Sequence, residues 1–259
     1  MSLPTPRGFL IDMDGVVYKG GKPIPSAQGF LRSLRSKNIP FLFVTNHSAL
    51  TPKALSEKLG KMGLDFPPEQ FYSSAEATAD YLAEKKVGSV FALAEEGLFS
   101  ALKKRGIRHT EKNPDAVAIG LDRKAGYNEL KKTLHLIQGV LKKKGPFLGT
   151  NPDPTYPVED GDAPECGAYL AFFESMVGTK ALVMGKPSPV IYRFAAKKIG
   201  IPLKAMAMIG DRTDTDILGA KRGGMKGILV LTGHTSRAML RKDPVKPDLV
   251  VETLEEVRL

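Results

Sequence analysis

Short apolar runs alternate with amphipathic segments along almost the whole chain. The apolar runs predict nine strands, at residues 9–13, 41–45, 89–94, 116–121, 146–150, 181–185, 205–210, 227–231 and 249–251. The segments between them have the spacing of amphipathic helices, as at residues 27–36, 52–62, 75–86, 127–144, 189–199 and 213–223. This alternation predicts an α/β fold in which helices cover parallel sheets, and several runs are apolar on both faces, as buried parallel strands are.

The number of predicted strands indicates two α/β units rather than one. Nine strands exceed what one small sheet needs, and the chain has neither a long Gly/Ser linker nor a repeat of about 20–50 residues. We therefore expect two closely packed units with boundaries near residues 80 and 178. Residues 151–167 are rich in proline, glycine and acidic side chains, and they predict a long functional loop or a crossover.

The composition is that of an ordinary globular protein. Of the 259 residues, 42% are hydrophobic and 25% are charged, which argues against a disordered or collagen-like chain. No stretch approaches the ~18 consecutive apolar residues of a membrane-spanning helix, and the N-terminal region has no signal-peptide core. The single cysteine, Cys166, cannot form an internal disulfide, which fits a reducing compartment. We expect a cytoplasmic protein with no membrane partner.

The net charge of +10 raises the question of a nucleic-acid partner. The lysine-rich clusters are short, and each closes a predicted helix just before a glycine or a turn, where cations complement the helix dipole. The chain shows no basic stripe interleaved with aromatic residues and no known nucleic-acid motif. We therefore expect no nucleic-acid partner, while a general attraction for anionic substrates stays open.

The first predicted strand ends in two aspartates, Asp12 and Asp14, and Gly15 follows at once. Side chains two residues apart on a strand point to the same side, so both carboxylates converge at the carboxyl edge of a parallel sheet, where open α/β sheets bind ligands. Two like charges at such a short distance need a cation or a proton between them. The pair therefore suits a divalent metal site or a nucleophile beside an acid/base. An ordinary Asp-x-Asp-Gly turn is the structural alternative.

A second acidic cluster, Gly-Asp-Arg-Thr-Asp-Thr-Asp at residues 210–216, follows another predicted strand. A turn with a helix cap would also explain it. Two acidic clusters at strand ends in one chain are nevertheless harder to explain as turns alone. Ligands that are all oxygens suit a hard cation, and Mg²⁺ often binds through one or two carboxylates and a phosphate.

Two further strand ends carry groups that suit a phosphate. Thr45 and Asn46 end the run Pro-Phe-Leu-Phe-Val-Thr-Asn, and their hydroxyl, amide and turn N–H groups can donate to phosphate oxygens. Lys186 follows another predicted strand and precedes Pro187, where it could face an anionic substrate or balance the aspartates. Loop-starting residues in the first case and a surface lysine in the second are the structural alternatives.

The four motifs in this order resemble the haloacid dehalogenase-like phosphohydrolase superfamily over nearly the whole chain. Asp12 to Val16 matches its first motif, Thr45 its second, Lys186 its third, and Asp211 with Asp216 its fourth. Finer matches to the NagD-like branch are Val-Thr-Asn followed by Ser48, Thr-Asn-Pro-Asp from residue 150, and Gly-Lys-Pro-Ser-Pro from residue 185. The resemblance implies a Rossmann-like parallel-sheet core, residues 1–80 and 179–259, with a large inserted α/β cap domain, residues 81–178.

The resemblance also implies a role for each candidate residue. Asp12 would be the nucleophile that forms an aspartyl-phosphate, and Asp14 would protonate the leaving group and then activate water. Mg²⁺ would bind the Asp12 carboxylate, the backbone carbonyl of Asp14, and Asp211, while Asp216 would orient these ligands. Thr45, the turn at Asn46, and Lys186 would hold the phosphate. The cap would exclude water and restrict the leaving group.

The expected function is hydrolysis of a small phosphorylated metabolite by an Mg²⁺-dependent phosphatase. A phosphotransferase and a phospho-ligand binding protein without activity stay open as alternatives. The substrate also stays open among sugar phosphates, nucleoside monophosphates, phosphoglycolate and p-nitrophenyl phosphate-like esters, and so does the oligomeric state. His47 and Cys166 receive no role.

Overall fold

The computed structural model describes residues 6–259, which form two compact units. The first unit comprises residues up to 45, residues 53–72 and residues 186–259, and the second comprises residues 46–52 and 73–185. Residues 1–5, with which the predicted core begins, lie outside the described part of the chain.

Strands and helices alternate through both units, as the sequence predicts. Within the described residues the strands are β1 (Gly8–Ile11), β2 (Tyr18–Lys19), β3 (Lys22–Pro23), β4 (Phe41–Thr45), β5 (Phe71–Ser73), β6 (Ser89–Leu93), β7 (Arg108–His109), β8 (Ala116–Ile119), β9 (Phe147–Gly149), β10 (Thr155–Val158), β11 (Gly161–Pro164), β12 (Leu182–Val183), β13 (Met206–Gly210), β14 (Lys226–Val230) and β15 (Leu249–Val251). The α-helices are α1 (Pro25–Ser36), α2 (Pro52–Gly60), α3 (Ser74–Glu84), α4 (Glu96–Lys104), α5 (Tyr127–Lys142), α6 (Cys166–Val177), α7 (Pro189–Ile199), α8 (Leu218–Gly223) and α9 (Arg237–Lys242).

The first unit is built on the sheet β15-β14-β13-β1-β4-β5. Strand β1 lies at its centre and pairs in parallel with β13 on one side and β4 on the other. All residues of β1, β4 and β13 are buried, as expected for strands that helices cover on both faces. The carboxyl ends of these three strands therefore share one edge of the sheet.

The second unit has its own parallel sheet in the order β12-β9-β8-β6-β7. One apolar cluster of its core is contributed by strands β6, β8 and β9 and helices α5 and α6. Cys166 and Phe173, both fully buried, pack into this cluster from α6. Two parallel sheets, each with helices, confirm the predicted α/β class.

Helix α7 shows how local sequence sets an element boundary. The Ser188 hydroxyl accepts a hydrogen bond from the backbone N–H of Val190, and Pro189 occupies the first helical turn, where its missing N–H costs nothing. Gly200 ends the helix with a φ of 74°, a left-handed conformation that glycine adopts without strain. These signals explain why this helix begins and ends where the sequence predicts.

The unit boundaries differ from the predicted residues 80 and 178. Residues 73–80 belong to the second unit. Glu76 and Asp80 of α3 accept hydrogen bonds there from Arg105, the residue that follows α4. Residues 179–185 belong there because β12 is a strand of that unit's sheet. In the second unit, residues 151–167 contain the antiparallel hairpin of β10 and β11 rather than only a loop or crossover.

No helix among residues 6–259 combines the length and hydrophobicity needed to cross a lipid bilayer.

A partly buried ion-pair network joins α3 to the end of α4 in the second unit. Arg105 Nε donates to Asp80 Oδ1 at 2.6 Å and its Nη2 donates to Glu76 Oε2 at 2.7 Å. The Glu76 side chain is only 7% exposed, so removing the guanidinium leaves its charge in an apolar environment. Losing a buried partner in this way typically costs about 3–5 kcal/mol.

We expect Arg105→Met to lower the free energy of unfolding by an amount near the lower end of that range. Urea denaturation followed by circular dichroism measures it. Lys132→Met is the matched control, because Lys132 pairs with Glu111 in the same unit at an exposed site and should change stability by about 0–1 kcal/mol. Equal losses in the two variants would contradict a stabilising role for the Arg105 network.

Candidate active site

Three predicted site residues lie where the central strands of the first unit end. Asp12 directly follows β1, Thr45 is the last residue of β4, and Asp211 directly follows β13. Because β1 runs parallel to both β4 and β13, these residues lie at the same edge of the sheet. All three are at least nine-tenths buried.

Lys186 lies between two of the aspartates. Its Nζ is 2.5 Å from Asp12 Oδ1 and 2.7 Å from Asp216 Oδ1. Lys186 is 3% exposed and Asp216 is fully buried. These contacts fit a lysine that balances the aspartates, which is one of the two roles predicted for it, and phosphate binding by Lys186 stays a prediction.

The acidic groups outnumber the cation. Asp12, Asp211 and Asp216 each offer a carboxylate oxygen, and these oxygens all lie within 4.8 Å of one another. One ammonium against three carboxylates leaves two negative charges when all are ionised. Buried oxygens that carry this excess charge fit a divalent cation such as Mg²⁺ in number and in chemistry.

The cost of this excess charge appears in the pKa values of the three carboxyl groups. Burial raises the pKa of Asp12 to about 6, and the charge of Asp211 adds to the increase against the opposing effect of Lys186. Burial and the charge of Asp216 raise the pKa of Asp211 to about 6. Burial and the charge of Asp12 raise the pKa of Asp216 to about 7, although Lys186 opposes the change. A cation bound here would reverse these shifts.

Asp14 differs from the buried aspartates because it is exposed to solvent. It lies in the turn after β1, where Gly15 has a φ of 75° and donates its N–H to the carbonyl of Tyr18 at 2.7 Å. Partial burial of the carboxyl group raises the pKa of Asp14, and the charge of Lys58 opposes this effect. A carboxyl group with a raised pKa and access to solvent is suited to exchange protons.

The sequence analysis missed a segment that supports Asp211, the turn of residues 232–235 after β14. The backbone N–H of His234 donates to Asp211 Oδ2 at 2.6 Å, and that of Thr235 donates to the Asp211 carbonyl at 3.1 Å. The Thr232 hydroxyl donates to the carbonyl of Gly15 at 2.6 Å. A Cβ atom on Gly233 would overlap the Asp211 carboxylate, so only glycine allows this approach. The Thr-Gly pair directly after a predicted strand was the available signal.

Asn46, the remaining predicted site residue, lies in the second unit. Its side-chain amide donates to Asp153 Oδ2 at 2.8 Å, and its carbonyl accepts from the Asn151 amide at 2.9 Å and the Ser74 hydroxyl at 2.6 Å. The structure therefore brings Asp12, Thr45, Lys186, Asp211 and Asp216 together within one unit, but it does not add Asn46 to that group. Phosphate binding by Asn46 stays a prediction.

Cys166 takes no part in this site. It lies at the start of α6, fully buried, and burial raises the pKa of its thiol to about 11. A thiol in this environment stays protonated and is a poor nucleophile.

Two family models match the chain. One, described as haloacid dehalogenase-like hydrolase, matches residues 9–108, and a second, related HAD-hydrolase-like model matches residues 183–257. The matched ranges contain all the predicted catalytic and metal residues.

Relatives and a solved structure agree with these models. The chain is 37% identical to dihydroxyacetone phosphatase from Corynebacterium glutamicum, over 96% of this chain and 90% of the relative. It is 33% identical to 5′-nucleotidase YutF from Bacillus subtilis, over 98% of each. The structure of NagD from E. coli superimposes with a TM-score of 0.91 at 30% identity, covering 98% of this chain and 99% of that one.

The chain therefore belongs to the haloacid dehalogenase-like hydrolase family, and it is similar to the NagD-like branch. It is a hydrolase that acts on phosphoric monoesters. The predicted family and enzyme class are confirmed.

The raised pKa of Asp216 can be tested without substrate, through the pH dependence of the protein's stability. Its value of about 7 lies above the ~3.9 of an unfolded aspartate, so between these values the unfolded chain has released a proton that the folded protein retains. The free energy of unfolding should consequently fall as the pH rises from about 4 to 7, and should level off above. The Asp216→Asn variant lacks this carboxyl group, so the group's contribution to the pH dependence of the unfolding free energy should be absent from it.

We expect the stability of the wild type relative to Asp216→Asn to decline over this range in the presence of EDTA. Urea denaturation at a series of pH values measures the difference. Asp214→Asn is the control: burial alone would raise the pKa of Asp214, but hydrogen bonds and charge from Arg212 lower it overall, so this variant should run parallel to the wild type above pH 5. A constant difference between wild type and Asp216→Asn would contradict the raised pKa.

Proposed function

We propose that this protein is an Mg²⁺-dependent phosphatase of the cytoplasm that hydrolyses small phosphomonoesters through an aspartyl-phosphate on Asp12. The observation that carries the proposal is the buried cluster in which Lys186 bridges Asp12 and Asp216 and in which Asp211 completes the acidic group. The cytoplasmic location is supported by the sequence expectation alone.

Asp12 would act as the nucleophile. One of its carboxylate oxygens attacks phosphorus, the bond from phosphorus to the ester oxygen breaks, and an aspartyl-phosphate forms. Lys186 supports this role because it fixes the Asp12 side chain and supplies positive charge beside the reacting oxygen. The Thr45 hydroxyl at the neighbouring strand end is suited to donate to a phosphate oxygen.

Asp14 would transfer the protons. In the first step its carboxyl group donates a proton to the leaving ester oxygen, which departs as an alcohol. In the second step the resulting carboxylate accepts a proton from water as the water oxygen attacks phosphorus, and inorganic phosphate and the Asp12 carboxylate are released. The raised pKa and the exposure of Asp14 support both roles.

The carboxylates of Asp12 and Asp211, with the backbone carbonyl of Asp14, would hold Mg²⁺. When bound, Mg²⁺ would neutralise the carboxylates and stabilise charge on the phosphate oxygens. The Asp216 carboxylate accepts from Lys186 and from the backbone N–H of Arg212 at 3.2 Å. It is thus suited to orient the lysine rather than to bind the ion itself.

The substrate would be a small phosphorylated metabolite. The names of two relatives, a dihydroxyacetone phosphatase and a 5′-nucleotidase, point to phosphate monoesters of different size. The second unit, as the predicted cap, would choose among such leaving groups.

We expect Asp14→Asn to lose more activity on an alkyl phosphate than on p-nitrophenyl phosphate in the first chemical step. A p-nitrophenolate leaving group needs little protonation, whereas an alkoxide needs much, and general acid catalysis is typically worth about 10²–10⁴-fold. Rapid-quench kinetics of phosphoenzyme formation measures the first-step rate with each of the two esters. Dephosphorylation should slow equally for the two substrates, so the aryl ester should give a stoichiometric burst of p-nitrophenol.

Asp12→Asn is the matched control, because it makes the same carboxylate-to-amide change two residues away. This variant should lose turnover and phosphoenzyme formation with both esters. If Asp14→Asn lost the two first-step activities equally and showed no burst, the acid/base role of Asp14 would be wrong.

We expect chelation to stop turnover and added Mg²⁺ to restore it. Asp211→Asn should need a higher Mg²⁺ concentration for half-maximal rate, because it removes one charged ligand, while Ca²⁺ should substitute poorly because its coordination is larger and looser. Steady-state rates across a Mg²⁺ titration measure this shift, with Asp214→Asn as the control that should titrate like the wild type. Full activity in excess chelator would rule out a metal requirement.

A further inference from the structure

The residue that follows Thr45, Asn46, is held by side chains of the second unit. Its side-chain amide donates to Asp153 Oδ2 at 2.8 Å. Its backbone carbonyl accepts hydrogen bonds from the Asn151 amide at 2.9 Å and from the Ser74 hydroxyl at 2.6 Å. The carbonyl of Asn46 and the N–H of the next residue belong to one planar peptide group, so these bonds fix the direction of both.

The partners of Asn46 are themselves fixed. Asn151 is fully buried, and its side-chain amide also donates to Glu165 Oε1 at 3.2 Å. The side-chain oxygen of Asn151 accepts from the backbone N–H of Asp153 at 3.0 Å. Asn151 and Asp153 therefore hold each other as well as Asn46. A buried polar network that is connected in this way is rigid, and it leaves the turn at Asn46 little freedom to reorient.

The same cluster also contacts the residue before Lys186. The backbone N–H of Gly185 donates to the Thr150 carbonyl at 2.8 Å. A Cβ atom on Gly185 would lie 2.5 Å from Asn46 Oδ1 and 2.6 Å from the Thr150 carbonyl oxygen, so Gly185 lies directly against both residues. The chain neighbours of Thr45 and Lys186 are thus packed together within the second unit.

We propose that Asp153, Asn151 and Ser74 are positioning residues that orient the turn at Asn46 for binding of the substrate's phosphate. This inference rests on the proposed function and on the phosphate binding predicted for that turn. Donors whose direction is fixed before the substrate arrives stabilise developing charge without a cost of reorganisation. The Thr-Asn-Pro-Asp motif that begins at residue 150, to which the proposed mechanism gives no part, thereby acquires a role.

A positioning role of this kind has a distinct kinetic signature. The phosphoryl group is common to every substrate, whereas the leaving group differs from one ester to another. Loss of the Asp153 acceptor should therefore lower kcat/KM by the same factor for all esters, and it should weaken the binding of inorganic phosphate. A residue that contacted the leaving group would instead change the preference between esters.

The experiment compares p-nitrophenyl phosphate with dihydroxyacetone phosphate, an alkyl ester, and uses inorganic phosphate as a competitive inhibitor. The enzymes are the wild type, Asp153→Ala, Asp153→Asn, Ser74→Ala and Asp162→Ala. Asp162→Ala is the matched control because Asp162 is an exposed aspartate of β11 in the same unit. Thermal melting verifies that each variant is folded, and kcat/KM is measured with each ester at saturating Mg²⁺. For an ester that is not hydrolysed, its inhibition constant takes the place of kcat/KM.

We expect Asp153→Ala to lower kcat/KM by about 10- to 100-fold with both esters alike, because a misplacement of about 1 Å can cost about 10²-fold. Inhibition by inorganic phosphate should weaken in the same variant. Asp153→Asn keeps an oxygen that can accept from the Asn46 amide, so it should retain most of the activity. Ser74→Ala removes one neutral hydrogen bond and should lose about 2- to 10-fold, while Asp162→Ala should match the wild type.

Two results would overturn the proposal. Unequal losses with the two esters would place Asp153 at the leaving group rather than behind the phosphate-binding turn. A lower melting temperature with wild-type kcat/KM would show that the cluster only stabilises the fold. If Asp153→Ala does not fold, Ser74→Ala decides by the same two criteria, because it removes a single oxygen atom from the cluster.

The activity of the wild type separates this inference from the proposed function. If the wild type hydrolyses neither ester with Mg²⁺, the proposed function fails and the inference fails with it. If the wild type is active, and both Asp153→Ala and Ser74→Ala match Asp162→Ala, the phosphatase mechanism stands and only the positioning role is wrong.

Discussion

The site depends on how the protein tolerates three buried carboxylates at the end of its central strands. Parallel strands bring Asp12 and Asp211 together because β1 and β13 are neighbours, and the helical turn after β13 adds Asp216. Lys186 offsets one of the three charges, so an excess remains that only protons or a cation can neutralise. The same buried excess raises the three pKa values and is the charge that the proposed divalent ion would neutralise.

Keeping this charge in place requires a rigid second layer of contacts. Gly15 and Gly233 approach the Asp211 carboxylate so closely that a Cβ on either would overlap it. The backbone N–H of His234 then fixes one Asp211 oxygen. Backbone donors impose a fixed geometry without adding charge, and this suits the proposed role of Asp211 as a ligand of a cation.

Much of the fold could be predicted because its signals are local. The long apolar runs of β4 and β13 and the capping residues of α7 specify their elements with little help from tertiary contacts. The strands that the pattern did not predict are β2, β3, β5, β7, β10 and β11, and these have two to four residues each. The equally short β9 and β12 lie in apolar runs, whereas most of these strands are polar and form through pairing with neighbours, so periodicity does not reveal them. The boundary of the second unit depends likewise on long-range contacts, those of Arg105 and of β12.

The site shows the same difference between residues with a local sequence signal and residues that depend on long-range contacts. Aspartates that directly follow an apolar strand can be assigned to a sheet edge from sequence alone, and the structure gathers Asp12, Asp211 and Asp216 there. The residues that were missed act through the backbone, as His234 does. The Thr-Gly pair at residues 232–233 is the local sign of their turn, but its position beside Asp211 depends on the parallel pairing of β13 with β14. A contact of this kind is a property of the fold, and it can be located only once the neighbouring strands are known.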